Sequence, residues 1–183
     1  MTYTDASRIE AVDESRVSFV MDEDTFRAFY DRTARGVWAY LVRVTGDRQM
    51  ADDLLQEAFY RFLRADATYD SEVHRRNSLY RIATNLARDA RRRNLIRIPA
   101  SVVGDDIERV AGGDHAAATE RQTEVSRAMS RLKPRERAML WLAYAEGATH
   151  REIAEVLDVS PDSMKSLLFR ARRKMASLLG GHQ

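Results

Sequence analysis

The chain has 183 residues, of which 44% are hydrophobic, but only 8 glycines and 3 prolines. This length suits one domain or two small ones, and the scarcity of turn-forming residues favours helices over tightly turned strands. The lack of cysteine excludes disulfides, thiolate nucleophiles and zinc–thiolate sites. No segment resembles a signal peptide or reaches the roughly 20 apolar residues of a membrane span. We therefore expect a cytoplasmic protein without membrane insertion.

The formal net charge of +2 conceals an alternation of sign along the chain. Residues 1–66 carry a net −4, residues 67–103 a net +5, residues 104–124 a net −4 and residues 125–183 a net +5. The two basic stretches indicate two contacts with a polyanion, while the acidic stretches indicate another partner or mimicry of nucleic acid. Arginine far outnumbers lysine, which suits phosphate contacts but follows equally well from a GC-rich genome.

The first half of the chain predicts three amphipathic helices that close one small bundle. The first helix begins after Asp24 as the N-cap and ends at Gly46. The second runs from about Arg48 to Arg64, and a loop follows over residues 65–75. The third helix ends in the arginine run 91–93. Residues of the predicted buried stripes recur every three or four positions: Phe26, Tyr30, Thr33, Val37, Leu41 and Val44, then Met50, Leu54, Ala58 and Phe62, then Leu79, Ile82, Ala83, Leu86 and Ala90.

The second half predicts a linker followed by a helix-turn-helix. Residues 95–118 show no sustained apolar stripe and predict a flexible acidic linker. Further on, Thr149 and Glu152 form a capping box for a short helix, and a turn follows at Asp158. Ser160 caps the last helix. The predicted fold class is therefore all-α, with two small helical domains joined by this linker and a helix-turn-helix in the C-terminal one.

The second helix of such a motif places its N-terminal residues against base edges in the DNA major groove. The last helix carries serine, lysine and arginine off its apolar stripe, and these side chains bind phosphates or bases. A helical hairpin that binds nothing is the alternative. Two capped helices in a basic domain favour DNA binding.

Two groups of motifs resemble conserved regions of bacterial sigma factors. The stretch Ala51-Asp-Asp-Leu-Leu-Gln-Glu-Ala-Phe and the stretch Leu79-Tyr-Arg-Ile-Ala-Thr-Asn-Leu-Ala-Arg-Asp resemble region 2. Residues 131–140, the Arg151-Glu-Ile-Ala-Glu-Val-Leu stretch and the Arg170-Ala-Arg stretch resemble region 4. Both occur in order with only a linker between them, which is typical of the extracytoplasmic-function group. The resemblance implies an extension at 1–23, a region 2 domain at 24–94, a linker at 95–118 and a region 4 domain at 119–183.

The resemblance also implies core RNA polymerase and promoter DNA as partners, with an anti-sigma factor as a regulatory partner. In the family, region 2 binds the polymerase clamp helices and opens the minus-ten element. The positions that match the polymerase-binding helix are Asp52, Asp53, Leu55, Gln56, Glu57 and Phe59. An ordinary solvated helix face is the alternative for its acidic members.

For the minus-ten element the resemblance implies the third predicted helix and the loop before it. The implied residues are Tyr69, His74, Arg75, Arg76, Tyr80, Arg81, Asn85, Arg88, Arg91 and Arg92. Tyr69 and His74 stack on a flipped base or, equally, pack the loop. Ser78 stands where the family commonly has tryptophan.

For the minus-thirty-five element the resemblance implies the last helix, through Ser160, Ser163, Lys165, Ser166, Phe169, Arg170 and Arg173. Leu167 and Phe169 stand where an arginine and a polar ring are usual, and Asp158 stands where glycine is usual. The two apolar residues contact thymine methyls or a protein partner, and their adjacency slightly favours the partner.

Three other functions fit the sequence less well. A DNA-binding regulator that is not a polymerase subunit needs only the helix-turn-helix, but a response regulator would need alternating strands upstream. An enzyme is not expected, because the four histidines are scattered and no glycine-rich phosphate loop is present. A helical adaptor leaves the basic stretches unexplained. No cofactor and no metal are expected.

Overall fold

A computed structural model describes residues 21–65, 67–97 and 120–180, and within these ranges it contains seven helices and no strand. The predicted all-α fold class is therefore confirmed. Most of the N-terminal extension and of the acidic linker, together with Asp66, lies outside the described residues.

The N-terminal half forms α1 (Glu23–Thr45), α2 (Arg48–Arg64) and α3 (Glu72–Arg97). The N-cap of α1 is Asp22 and not Asp24, because the Asp22 carboxylate accepts the Thr25 N–H at 2.9 Å. Gly46 ends α1 as predicted, with a φ of 77° that glycine adopts without strain.

The predicted loop before α3 was too long, because α3 begins at Glu72 and not after Arg75. Ser71 Oγ accepts the His74 N–H at 3.1 Å, which satisfies one of the free donors at this helix start. Glu72 adds a negative charge to the first turn, where the helix dipole favours it.

Apolar side chains of α1, α2 and α3 meet in a bundle core. Phe29 and Phe62 stack with their ring centroids 5.1 Å apart, and Phe59 meets Phe29 edge-on at 6.3 Å. Tyr40 is fully buried, and its hydroxyl shares a hydrogen bond of 2.7 Å with Thr84 Oγ1 of α3. Burial raises the pKa of Tyr40 to about 12, so its hydroxyl stays protonated and holds α1 against α3.

The C-terminal half forms α4 (Glu120–Ser130), α5 (Pro134–Tyr144), α6 (His150–Leu157) and α7 (Pro161–Gly180). The predicted capping box is present: Glu152 N–H donates to Thr149 Oγ1 at 3.3 Å, and Thr149 N–H donates to Glu152 Oε2 at 2.6 Å. Asp158 adopts the left-handed conformation, with a φ of 53°, between α6 and α7. These elements form the predicted helix-turn-helix.

Replacing Thr149 with alanine is expected to lower the free energy of unfolding by about 1 kcal/mol, because the cap of α6 loses its side-chain acceptor. Urea unfolding followed by circular dichroism measures this loss. Thr149→Ser keeps the hydroxyl and serves as the matched control. An alanine variant as stable as the serine variant would show that the capping box does not stabilise α6.

The two halves pack against each other, with α1 on α5 and α3 on α6. Buried residues of both halves belong to one continuous apolar cluster. The Arg137 guanidinium of α5 donates to the Val44 carbonyl at 3.3 Å, and Arg43 of α1 donates to Ser126 Oγ of α4 at 3.2 Å. The helices of one half therefore cover part of the other.

Candidate functional site

The outer face of α2 carries acidic side chains that the bundle core does not use. Asp52, Asp53 and Gln56 are exposed, and Glu57 is partly exposed. Asp53, Gln56 and Glu57 are spaced at i, i+3 and i+4, so they lie on one face of the helix. The bundle positions this face through the buried residues Ala51, Leu54, Ala58 and Phe62.

Two of the predicted polymerase-binding residues face the core of the bundle. Phe59 is 5% exposed and packs against Tyr30, with their ring centroids 4.7 Å apart. Leu55 is half-buried against the same core. Leu55 and Phe59 therefore pack α2 against the bundle core, while the three acids and Gln56 form the exposed surface of the helix.

Two neighbours orient the acids of this face. Trp38 Nε1 of α1 donates to Asp52 Oδ1 at 2.6 Å, and Arg61 Nε donates to Glu57 Oε1 at 2.6 Å. Tyr60 lies one turn beyond Gln56 and is 52% exposed, with the Arg64 guanidinium donating to its hydroxyl at 2.8 Å. The sequence did not single out Trp38 or Tyr60, because neither contact follows from the apolar stripe of α2.

One face of α3 presents a stripe of exposed polar side chains. Its members are Arg81, Asn85, Arg88 and Arg92. Their spacing places all four within about 60° around the helix. Asp89 accepts from Arg92 at 3.4 Å, a surface pair that costs little to break. Three arginines beside one asparagine can neutralise phosphates and bond to a base. Arg91 is also exposed, beside this stripe.

The neighbouring face of α3 is covered by the C-terminal half. Tyr80 is 2% exposed, meets the Tyr40 ring edge-on at 5.2 Å and donates a hydrogen bond to the Glu146 carboxylate. Burial, and then Glu146, raise the pKa of the Tyr80 hydroxyl. Asn77 is 6% exposed and bonds to Glu152. Tyr80, implied to face DNA, therefore faces α1 and the loop between α5 and α6 in this structure.

Glu152 is held ionised at the point where α6 meets α3. The Thr149 N–H, and to a smaller extent Asn77 and Arg76, hold its pKa below the usual range. Arg88 extends from α3 to the other end of α6, where its guanidinium donates to the Leu157 carbonyl at 3.4 Å. Asn77 and Glu146 were not predicted as contact residues, because only tertiary packing brings Asn77 to Glu152 and Glu146 to Tyr80.

A cleft of about 260 Å³ lies between the start of α1, the end of α2 and the loop before α3. Its lining includes Thr25, Phe62, Thr68, Tyr69 and Arg75. The Tyr69 hydroxyl and Arg75 Nε are buried and have no hydrogen-bond partner among the described residues. Unpaired buried donors of this kind favour a polar ligand.

The rings of the loop pack on one another beside this cleft. Tyr69 stacks on Phe62 at 5.4 Å and meets His74 edge-on at 5.6 Å. The imidazole of His74 lies 3.9 Å from Asp70, and Arg75 contacts Glu72 at 3.3 Å. The structure thus brings Tyr69, His74 and Arg75 together, with one face of the tyrosine ring already occupied.

The helix α7 presents its predicted DNA-binding residues to solvent. All seven are exposed: Ser160, Ser163, Lys165, Ser166, Phe169, Arg170 and Arg173. Met164, Leu168 and Ala171 hold the opposite face in the core. Lys174 fixes α7 to α5 through a 2.9 Å ion pair with Glu136. Burial favours the neutral form of Glu136, but the hydrogen bonds from Lys174 and Lys133 prevail and lower its pKa.

Phe169 and Leu167 differ in their surroundings. Phe169 is 55% exposed, with the Arg173 guanidinium 6.0 Å from its ring centroid. Leu167 is half-buried against the core. The two side chains therefore do not form one exposed apolar surface, which was the reason for favouring a partner interface there.

The described ranges contain no group of three side chains that could hold a metal ion. They also contain no helix that is long and apolar enough to cross a lipid bilayer.

The described residues combine an exposed arginine stripe on α3 with a helix-turn-helix, and all their regular elements are helices. This combination is typical of DNA-binding proteins with two separate contact surfaces. The chain matches the family models for sigma-70 region 2 over residues 29–95 and sigma-70 region 4 over residues 122–175. It therefore belongs to the sigma-70 family, in the extracytoplasmic-function group. Sigma factors direct promoter-specific transcription and form a non-enzymatic class of transcription regulators.

Curated relatives include three sigma factors of the extracytoplasmic-function group. SigE of Mycolicibacterium smegmatis is 29% identical over 98% of this chain and 74% of its own length. SigM of Bacillus subtilis is 28% identical over 84% of this chain and 94% of its own length. SigL of Mycobacterium tuberculosis is 28% identical over 81% of this chain and 85% of its own length.

Solved structures share the fold at low sequence identity. The sigma factor RpoE of Bartonella quintana, in complex with the anti-sigma factor NepR, gives a TM-score of 0.70 at 17% identity, over 86% of this chain and 98% of that chain. CnrH, in complex with the cytosolic domain of CnrY, gives a TM-score of 0.62 at 20% identity, over 88% of this chain and 92% of that chain.

Proposed function

We propose that this chain binds core RNA polymerase through the outer face of α2 and recognises a promoter through α3 and α7. The observation that carries this assignment is the exposure of two separate sets of basic side chains, the stripe on α3 and Lys165, Arg170 and Arg173 of α7. The acids of α2 form a third surface of opposite charge, which suits a protein partner and not DNA.

The stripe on α3 and the cleft beside Tyr69 serve the minus-ten element in this proposal. Arg81, Arg88 and Arg92 neutralise phosphates, and Asn85 bonds to a base. The cleft takes one unstacked base, whose polar edge satisfies the Tyr69 hydroxyl and Arg75 Nε. The first turns of α7 serve the minus-thirty-five element, because they lie where a recognition helix meets base edges.

The proposal includes an anti-sigma factor as a partner, as RpoE of Bartonella quintana has in NepR. It also places the chain in the cytoplasm and gives it no enzymatic activity, because a sigma factor acts by binding polymerase and DNA there.

Association with core polymerase separates this function from that of a free DNA-binding regulator. We expect the chain to co-elute with core polymerase in size-exclusion chromatography and to direct run-off transcription from promoter fragments. A free regulator would bind duplex DNA tightly alone and would leave core polymerase unchanged. Tight binding to duplex DNA alone, without any effect on core polymerase, would indicate a free DNA-binding regulator and contradict the proposal.

Replacing Lys165 with alanine is expected to weaken promoter recognition by about 1–3 kcal/mol, through loss of a base contact in the first turns of α7. The preference at one or two positions of the upstream element should relax. Transcription from a promoter library measures both effects. Arg172→Ala serves as the control, because Arg172 is exposed further along α7. A uniform loss across the library would assign Lys165 to a phosphate instead.

The exposed face of α7 also carries an apolar side chain, Phe169, and replacing it tests whether this face reads bases. Because Leu167 packs inwards, Phe169 stands alone beside Ser166 and Arg170, and we assign it to a thymine methyl. Phe169→Ala should then weaken selectively those promoters that carry thymine at one position of the same library. Unchanged promoter preference, together with weaker binding to an inhibitory protein, would assign Phe169 to a partner interface.

A further inference from the structure

The exposed face of α2 continues for two turns beyond its acidic residues. Asp53, Glu57, Tyr60 and Arg64 share this face, because their spacing places all four within about 60° around the helix. From the first to the last they extend for about 16 Å along α2. None of them belongs to the buried set of the helix, so the bundle core leaves all four available to a partner. The face therefore begins with carboxylates, continues with an aromatic ring and ends with a guanidinium.

Tyr60 places its ring in the middle of this charged face. The side chain is 52% exposed. The Arg64 guanidinium lies 5.5 Å from the ring centroid and donates to the Tyr60 hydroxyl at 2.8 Å, which orients the ring along the helix. Towards the acidic end, Arg61 forms an ion pair of 2.6 Å with Glu57. Charged side chains that are already oriented by one another thus surround the exposed ring.

An oriented ring within a polar rim has the composition of a binding anchor. Tyrosine is enriched among the residues that dominate the binding energy of protein interfaces, and charged neighbours around such a residue exclude water from the contact. The tyrosine ring buries a large area while only two side-chain torsions lose their freedom. Because Arg64 holds the ring before any partner arrives, binding costs less conformational entropy.

The charges on either side of Tyr60 define the chemistry of the partner. Asp53 and Glu57 require cations on one side of an apolar recess, and Arg64 requires a carboxylate on the other side. A DNA duplex satisfies only Arg64, because its phosphates repel both carboxylates. The face is continuous with the acids assigned above to core RNA polymerase, and core polymerase is therefore the partner that this surface fits.

We propose that Tyr60 is an aromatic anchor of the interface with core RNA polymerase and that Arg64 ends this interface in an ion pair. The inference rests on the polymerase-binding role proposed for α2. It extends that surface from the acidic residues to the C-terminal end of the helix. An apolar recess of the polymerase covers the ring, and a carboxylate of the polymerase pairs with Arg64.

The test is a competition in which variants of the full chain displace the fluorescently labelled, unsubstituted chain from core polymerase. Tyr60→Ala is expected to bind at least about tenfold more weakly, because a buried aromatic anchor is lost. Tyr60→Phe keeps the ring and should remain within about threefold of the unsubstituted chain. Tyr144→Ala removes an exposed tyrosine at the end of α5, outside the surface, and should bind like the unsubstituted chain. Circular dichroism confirms that every variant is folded.

Arg64→Glu tests the far end of the surface. It should weaken binding at least about fivefold at about 0.1 M salt, because a charge pair becomes a repulsion. This loss should diminish at about 0.3 M salt, where exposed charges are screened, whereas the loss in Tyr60→Ala should persist there. Arg35→Glu makes the same charge change at an exposed position of α1 and is the control for this variant.

The contrary outcomes are distinct from one another. Equal binding of Tyr60→Ala and Tyr144→Ala would overturn the anchor, and so would a loss in Tyr60→Phe as large as that in Tyr60→Ala. Equal binding of Arg64→Glu and Arg35→Glu would overturn the ion pair. Weaker promoter complexes with unchanged core binding would assign the face to DNA. All of these outcomes require that the unsubstituted chain binds core polymerase; if it does not, the proposed function itself is contradicted, and the anchor with it.

Discussion

Reversing two charges on the outer face of α2, with Asp53→Lys and Glu57→Lys, is expected to weaken binding to core RNA polymerase by at least about thirtyfold. Loss of one partner from an interfacial charge pair costs about 2–5 kcal/mol, and each 1.4 kcal/mol corresponds to a factor of ten. The fold should persist, because neither residue belongs to the buried set of α2. The Glu57–Arg61 pair is a surface interaction and contributes little to stability.

The measurement is a titration of core polymerase with the fluorescently labelled chain. The variant Asp31→Lys with Glu155→Lys carries the same change of net charge at exposed positions away from α2, and it should bind like the unsubstituted chain. Circular dichroism confirms that both variants are folded. If the α2 variant and the control bind equally well, α2 does not provide the polymerase-binding surface.

Replacing Arg88 and Arg92 together with alanine is expected to destabilise promoter complexes by roughly tenfold per lost phosphate contact at about 0.1 M salt. The logarithm of the binding constant should depend less steeply on the logarithm of salt concentration, by about one unit of slope per contact. The loss should be similar across promoters, because phosphate contacts carry no sequence information. Lifetimes of promoter complexes at several salt concentrations measure both quantities.

Arg93→Ala is the matched control for this prediction. Arg93 is exposed and has the same chemistry, but it lies about 120° around α3 from Arg81, off the stripe. Its replacement should change the salt dependence less than either stripe arginine does. A loss confined to particular promoters, with an unchanged salt dependence, would mean that Arg88 and Arg92 read bases.

The sequence predicted those parts of the fold that depend on local interactions. The limits of α2, the glycine that ends α1 and the capping box of α6 follow from hydrogen bonds between residues no more than four positions apart. The exposed positions on α7 were predicted for a different local reason, because the buried residues of α7 recur with a regular helical period. These predictions are confirmed.

The sequence was less informative where two neighbouring residues compete for one buried position. Tyr30 was predicted on the buried stripe of α1, yet it is 41% exposed and Phe29 is fully buried. Both positions fit a helical period, and the phenylalanine cluster with Phe59 and Phe62 decides between them. Likewise, Tyr80 resembles a DNA-facing residue in the sequence, but contacts with Tyr40 and Glu146 bury it. Such contacts join residues at least 40 positions apart, and no local pattern reveals them.

The most direct test of the promoter-recognition claim is transcription of fragmented genomic DNA from the parent bacterium by its core polymerase, with and without this chain. Sequencing of RNA 5′ ends identifies each start site. We expect discrete starts that depend on the chain, preceded by two shared sequence elements near positions −10 and −35. The Arg88→Ala and Arg92→Ala double variant should weaken these starts together. Start sites identical to those of core polymerase alone would contradict the account.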